Sequence, residues 1–149
     1  MKKVIANNKK AYHEYFIEDK FEAGLVLMGT EIKSIRLGSV QFKDAFIHID
    51  NNEAFIKEMY IGQYKFGNQF NHEETRSRKL LLHKHEINKL AKQVKLKGYT
   101  IVPLSLYLND GKAKLEIGLA LGKANYDKRQ VQKEKDAKRE IEKATKRNR

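Results

Sequence analysis

Two tight-turn sequences, Asp50-Asn51-Asn52-Glu53 and Asn109-Asp110-Gly111, each stand between apolar runs of strand length. Asparagine and glycine tolerate positive φ, so each closes an antiparallel hairpin. The first joins residues 45–49 to 54–61, and the second joins residues 99–108 to 112–121. Leu80-Leu81-Leu82 reads as a further buried strand, and residues 15–17 and 24–28 as apolar runs on either side of a charged link. Several short strands with interspersed turns predict a mainly β domain, a closed antiparallel barrel without exposed edges. Pro103, the only proline, then belongs at an edge or a bulge.

Helical signals are few. Thr30 is positioned to cap a short helix with Ile32 and Ile35 on one face and Gly38 in the stop position, although the alternation there also suits a strand. Ile87, Leu90, Ala91 and Val94 recur at i, i+3, i+4 and i+7, which predicts an amphipathic helix ending at Gly98. Between the strands, residues 62–77 form a long polar stretch carrying Tyr64, Phe66, Phe70 and Arg76. A loop of that length in a compact domain usually binds something. Its aromatics either stack on unpaired bases or pack beneath the loop as a satellite cluster.

Charge divides the chain. Lys and Arg number 31 against 19 Asp and Glu, a net of +12. Residues 123–149 hold 11 basic and 5 acidic residues, so half of the net charge lies in 27 positions. Their apolar residues form no stripe wide enough to bury, yet Lys, Glu, Gln, Arg and Ala favour helix. The expectation is a barrel over residues 1–122 and a basic tail over 123–149, disordered alone and helical on a polyanion. A full helix of that length would reach about 40 Å. The charge excess points to nucleic acid or an anionic surface. With no cysteine, thiolate chemistry is excluded and a reducing cytoplasm is the simplest compartment. No apolar run is long enough for a leader peptide or a membrane span.

Enzymatic signatures are weak. Gly118 to Lys123 is one residue short of a phosphate-binding loop, and Ala124 stands where a hydroxyl should meet magnesium. His83 and His85 are spaced i, i+2, off a common helical face, so no metal or other cofactor is expected. Acid pairs such as Glu73-Glu74 read as solvated charge. The residues favour a noncatalytic nucleic-acid binder.

Several blocks in sequence order carry a resemblance. Asn8-Lys9-Lys10-Ala11 with His13-Glu14-Tyr15-Phe16-Ile17, Phe21-Glu22-Ala23-Gly24, and Gly29 through Arg36 come first; Arg76-Ser77-Arg78-Lys79-Leu80 and Gly98 through Leu104 follow, then Gly122-Lys123 and Asp127-Lys128-Arg129. In this order they resemble the SsrA-binding small protein B family. The resemblance implies an oligonucleotide-binding-type (OB-like) barrel of about six strands with about three helices outside. It implies a cytoplasmic, monomeric adaptor that binds the tRNA-like domain of transfer-messenger RNA and brings it to stalled ribosomes, meeting elongation factor Tu through the shared RNA, with no membrane. A general basic nucleic-acid chaperone is the alternative. By the same resemblance Asn8, Glu22, Lys33, Arg36, Arg76, Arg78, Lys79, Lys114 and Lys123 are RNA-contacting, with an intramolecular ion pair the other reading of Arg78. Tyr126, Asp127, Lys128, Arg129, Lys133, Lys138 and Arg139 are the tail's ribosome contacts. Many members have a second lysine after Gly-Lys and a histidine before Asp-Lys-Arg, where this chain has Ala124 and Tyr126.

Overall fold

A computed structural model describes residues 2–67, 71–96 and 98–123. The element order is β1 (Lys2–Asn7), α1 (Lys9–Glu14), β2 (Tyr15–Leu25), α2 (Gly29–Arg36), β3 (Val40–Gln41), β4 (Phe46–Asp50) and β5 (Glu53–Lys57). There follow β6 (Tyr60–Ile61), β7 (Arg78–Leu81), α3 (Lys84–Gln93), β8 (Tyr99–Asn109) and β9 (Lys112–Gly122). The expected tail, residues 123–149, lies outside the described residues apart from Lys123.

Both predicted hairpins form. Asn51 and Asn52 take φ of 48° and 62°, and Asp110 and Gly111 take 51° and 82°. Residues 54–61 are two strands rather than the one expected, because Glu58 adopts φ of 66° and turns the chain; Tyr60–Ile61 then pairs with β3. The two runs on either side of Glu18-Asp19-Lys20 are a single strand, β2, which crosses the charged link at a bulge between Ile17 and Asp19.

The large sheet runs β1-β8-β4-β5-β7-β2-β9, and β8 also pairs with β9. Six strands therefore close into a ring and β1 lies outside it, against β8. This is the mainly β, OB-like arrangement expected, with three helices among the described residues. Pro103 sits at a register shift between Pro103 and Ser105. One edge of β8 pairs with β4 at Ile101 and with β1 from Ser105 onward, so the proline falls where the partner changes. A residue without an N–H is least costly there.

Inward residues Ala23, Ile47, Ala54, Ile56, Leu80, Ile101, Leu106, Leu115 and Ile117 form the main core, joined by Ile35 of α2 and Leu90 of α3. Leu80 is buried as expected, but Leu81 is 54% exposed, since consecutive strand residues face opposite ways. A second cluster lies on the outside of the sheet: Ala11 of α1 packs on Val102, Leu104 and Ala120. There a Cβ at Gly118 would come within 2.9 Å of both Ile17 and Leu104.

Helix α2 is capped at Met28, two residues earlier than the expected Thr30 cap. The Glu31 carboxylate accepts the Met28 N–H at 2.8 Å, and Gly38 ends the helix region at φ of 77°. Glu31 and Arg78 have fully buried side chains and form an ion pair. Arg78 also donates to the Met59 carbonyl at 2.6 Å and the Glu74 carbonyl at 3.0 Å, while Arg76 reaches Glu31 from the surface. Burial alone would raise the Glu31 carboxyl, but hydrogen bonds from Arg76, the Met28 N–H and Arg78 outweigh it and hold it below its ordinary value.

Arg78→Met leaves that carboxylate buried with one arginine fewer, and the expected loss is about 3–5 kcal/mol in urea unfolding. Because the folded carboxyl is held low, its contribution is complete above the ordinary value of 4.5 and disappears as pH falls through the lowered one. Urea midpoints measured below pH 5 should fall more steeply for the parent chain than for Glu31→Gln.

Candidate nucleic-acid interface

Strand alternation puts one set of side chains on the outer face of β2, β9, β8 and β1. Glu22 pairs across with Glu116, Gly24 with Lys114, and Lys114 in turn with Tyr107. Val4 of β1 pairs with Tyr107 on its other side. Helix α1 covers one end of this face through the Ala11 cluster, leaving the other end open.

Two carboxylates directly opposite each other are unfavourable unless something bridges them. Here the Tyr107 hydroxyl donates to Glu22. Burial of Tyr107, then its hydrogen bond to Glu22 and the nearby Glu116 charge, raise the phenol well above its ordinary range, so it stays protonated and a donor. Lys2 Nζ lies 4.1 Å from the Tyr107 ring centroid and Lys20 Nζ lies 5.5 Å from that of Tyr12. The patch thus offers carboxylate oxygens to hydroxyl and amino donors, ringed by ammonium groups that suit phosphates. Glu22 is oriented by a tyrosine, a residue that sequence reasoning missed. The signal was present: the Asn109-Asp110-Gly111 turn alone fixes Tyr107 opposite Lys114.

Asn8 bridges β1 and α1. Its Nδ2 donates to the Pro103 carbonyl at 2.8 Å, and its backbone N–H to the Leu104 carbonyl at 2.8 Å. Its amide NH₂ group is therefore used in holding α1 to the β8 bulge, while the side chain remains partly exposed. Beyond Gly24, Lys114 shares a groove of ≈ 520 Å³ with Arg36, Lys112, Leu25, Ile32 and Leu81. Lys33 is exposed on the same helix, and its Nζ lies 5.3 Å from the Tyr64 ring. Exposed Lys123 lies over Phe16, with Nζ 5.4 Å from the ring centroid.

The Arg76-Ser77-Arg78-Lys79 block divides. Arg78 is wholly enclosed and committed to Glu31 and backbone carbonyls, which corrects its expected place on an RNA face: the intramolecular ion pair is the role its burial dictates. Arg76 keeps 31% of its side chain exposed while bonded to Glu31. Lys79 points outward and meets Glu53 at 3.5 Å. His83 caps the start of α3 and its ring stacks on His85. The tail residues Tyr126, Asp127, Lys128, Arg129, Lys133, Lys138 and Arg139 lie outside the described residues.

A ring of antiparallel strands with a basic, donor-and-acceptor outer face defines a nucleic-acid-binding protein of the OB-like class. A family model described as "SmpB protein" matches residues 5–147. The chain belongs to that family. The SsrA-binding protein of Shouchella clausii (strain KSM-K16) is 60% identical over 144 residues, covering 97% of this chain and 92% of the relative. That of Geobacillus kaustophilus (strain HTA426) is 57% identical over 142 residues, covering 95% and 92%. A chain from a solved structure described as "tmRNA-SmpB: a journey to the center of the bacterial ribosome" superposes with a TM-score of 0.68 at 44% identity, covering 79% of this chain and 83% of that one.

Tyr107→Phe tests the hub of the patch. A phenol raised in the fold contributes stability that is complete below the ordinary value of 10.0 and is lost as pH climbs towards the raised one. The parent chain should therefore lose urea stability above pH 10 more steeply than Tyr107→Phe, and the variant should lack one late phenolate step in the ultraviolet titration.

Proposed function

We propose that this chain is an RNA-binding adaptor of trans-translation. It binds the tRNA-like domain of transfer-messenger RNA and delivers that RNA to stalled ribosomes, where the truncated product is tagged. The observation that carries this reading is the family match over residues 5–147, together with 44% identity to a chain from a tmRNA-SmpB ribosome structure. The chemistry of the outer face supports it. Lys114 neutralises phosphate, Glu22 accepts from a 2′-hydroxyl or base amine, and Asn8 presents its amide oxygen beside α1. Lys33, Arg36, Arg76, Lys79 and Lys123 add cationic reach around that patch.

The adaptor is noncatalytic and cytoplasmic, and it acts as a monomer that meets elongation factor Tu through the RNA both hold. Among the described residues no helix is long and apolar enough to cross a membrane. Its two regions divide the labour: residues 1–122 grip the RNA, and residues 123–149 become helical in a messenger channel that is vacant. Messenger RNA in the channel would exclude the tail by occupying the same volume, which gives discrimination without chemistry. Tyr126, in the place of the usual histidine, keeps an aromatic face for stacking.

Ending the chain after Lys123 should leave affinity for the tRNA-like domain nearly unchanged in gel-shift titrations while abolishing peptide tagging in a reconstituted translation system. Loss of both together would defeat the division of labour. Lys114→Ala should weaken transfer-messenger RNA binding and lower the slope of log affinity against log salt by about one. Equal affinity of the parent chain for bulk duplex DNA at physiological salt would instead favour a general chaperone.

A further inference from the structure

In the long loop after β6, Tyr64 and Phe66 take different tasks, and Phe70 lies outside the described residues. Tyr64 is half-buried, whereas Phe66 is 70% exposed and meets the Tyr64 ring edge-on, with centroids 5.6 Å apart. The loop is held by its own polar groups. Asn71 donates from Nδ2 to the Tyr64 carbonyl at 2.6 Å, and its Oδ1 accepts the Tyr64 N–H at 3.1 Å. Buried His72 spans from Thr30 Oγ1, 2.8 Å from Nδ1, to the Ile61 carbonyl, 2.9 Å from Nε2. A Cβ at Gly67 would lie 2.6 Å from Asn71 Nδ2, so the closure of the loop on Asn71 needs glycine there. This bonding fixes the backbone that presents Phe66 to solvent.

Charge says what the ring faces. Lys65 Nζ lies 5.8 Å from the Phe66 centroid and Lys33 Nζ 5.3 Å from that of Tyr64. Lys33 shares the i, i+3 face of α2 with Arg36, which lines the groove shared with Lys112 and Lys114. A cationic path therefore leads from the loop to the Glu22–Tyr107 face. We propose that Phe66 is a stacking station for an unpaired nucleobase of the bound RNA, with Tyr64 setting the ring and Lys33 and Lys65 placed for the flanking phosphates. An exposed aromatic face between ammonium groups suits a base joined to phosphates. The inference rests on the RNA-adaptor reading and adds a second point of contact to it.

The chain has no tryptophan, so Phe66→Trp makes a single reporter in the full-length protein. Binding is followed by anisotropy of labelled RNA and stacking by tryptophan emission, with transfer-messenger RNA and 30S subunits as separate arms. Heparin, a polyanion without bases, is the control. Strong quenching by either RNA arm but not by heparin is the expected result, and the arm that quenches names the source of the base. Phe66→Ala and Phe66→Leu should each weaken binding to that RNA by about 5- to 100-fold, since neither offers a π face. Unchanged emission with both arms at saturating binding would overturn the stacking station while leaving the adaptor reading intact. Equal affinity of Phe66→Leu and the parent would overturn it too. Failure of transfer-messenger RNA to bind the parent chain would count against the adaptor reading itself.

Discussion

The buried Glu31–Arg78 pair ties α2 and β7 to the chain before and within the long loop. Glu31 lies in the first turn of α2, Arg78 starts β7, and the Met59 and Glu74 carbonyls that Arg78 also binds lie before β6 and within the long loop. A pair removed from water this completely is stabilising only when its remaining donors and acceptors are met. Both Glu31 oxygens are engaged, one by Arg76 and the Met28 N–H and the other by Arg78. The charges then act as a geometric lock. They set where α2 lies, and α2 carries Lys33 and Arg36 to the surface. A residue pair invisible to any RNA thus determines where exposed cations stand.

The outer face depends on two bulges. In β2 the register shift at Ile17–Asp19 lets Ile17 join the cluster under α1 and leaves Lys20 and Glu22 on the open part of the same face. In β8 the shift at Pro103–Ser105 inserts an extra residue, Leu104, which packs against Ala11. A regular pair of strands would give one uniform face. With the bulges, the same surface is apolar where α1 docks and polar where Glu22, Tyr107 and Lys114 meet. Asn8 sits at the boundary and bonds both carbonyls at the bulge.

What could be read from the chain follows from how local each cause is. The two hairpins were legible because positive φ at Asn51, Asn52, Asp110 and Gly111 is a property of the turn residues themselves. The α3 stripe was legible for a similar reason, since 3.6-residue periodicity repeats within one element. Strand β1 and helix α1 escaped notice: β1 is mostly exposed, and α1 buries only Ala11, too little for a stripe. The charged link in β2 looked like a break because its residues face outward or sit in a bulge. Arg78 could not be assigned without the fold. A lysine-rich neighbourhood makes an arginine look exposed, and only three-dimensional closure shows a carboxylate waiting inside. Tyr107 and Lys114 could be placed together from hairpin register, but the part of Glu22 required knowing that β2 flanks β9 on its other side.

The loop after β6 shows how the same logic extends from stability to recognition. Leaving a phenylalanine largely in water forgoes the free energy of burying it, of order 1.5–3 kcal/mol. Tyr64 meets the ring edge-on, with centroids 5.6 Å apart, and leaves most of it in water. The Asn71 side chain bonds both backbone groups of Tyr64, two residues before the ring, so less conformational freedom remains to be lost there when a partner arrives. An exposed ring on a pre-ordered backbone, next to lysines on a helix locked by Glu31, is an arrangement in which stability has been set aside for contact. On the stacking-station proposal, the loop and the β2–β9–β8 face are parts of one extended surface, along which a folded RNA is held at more than one place.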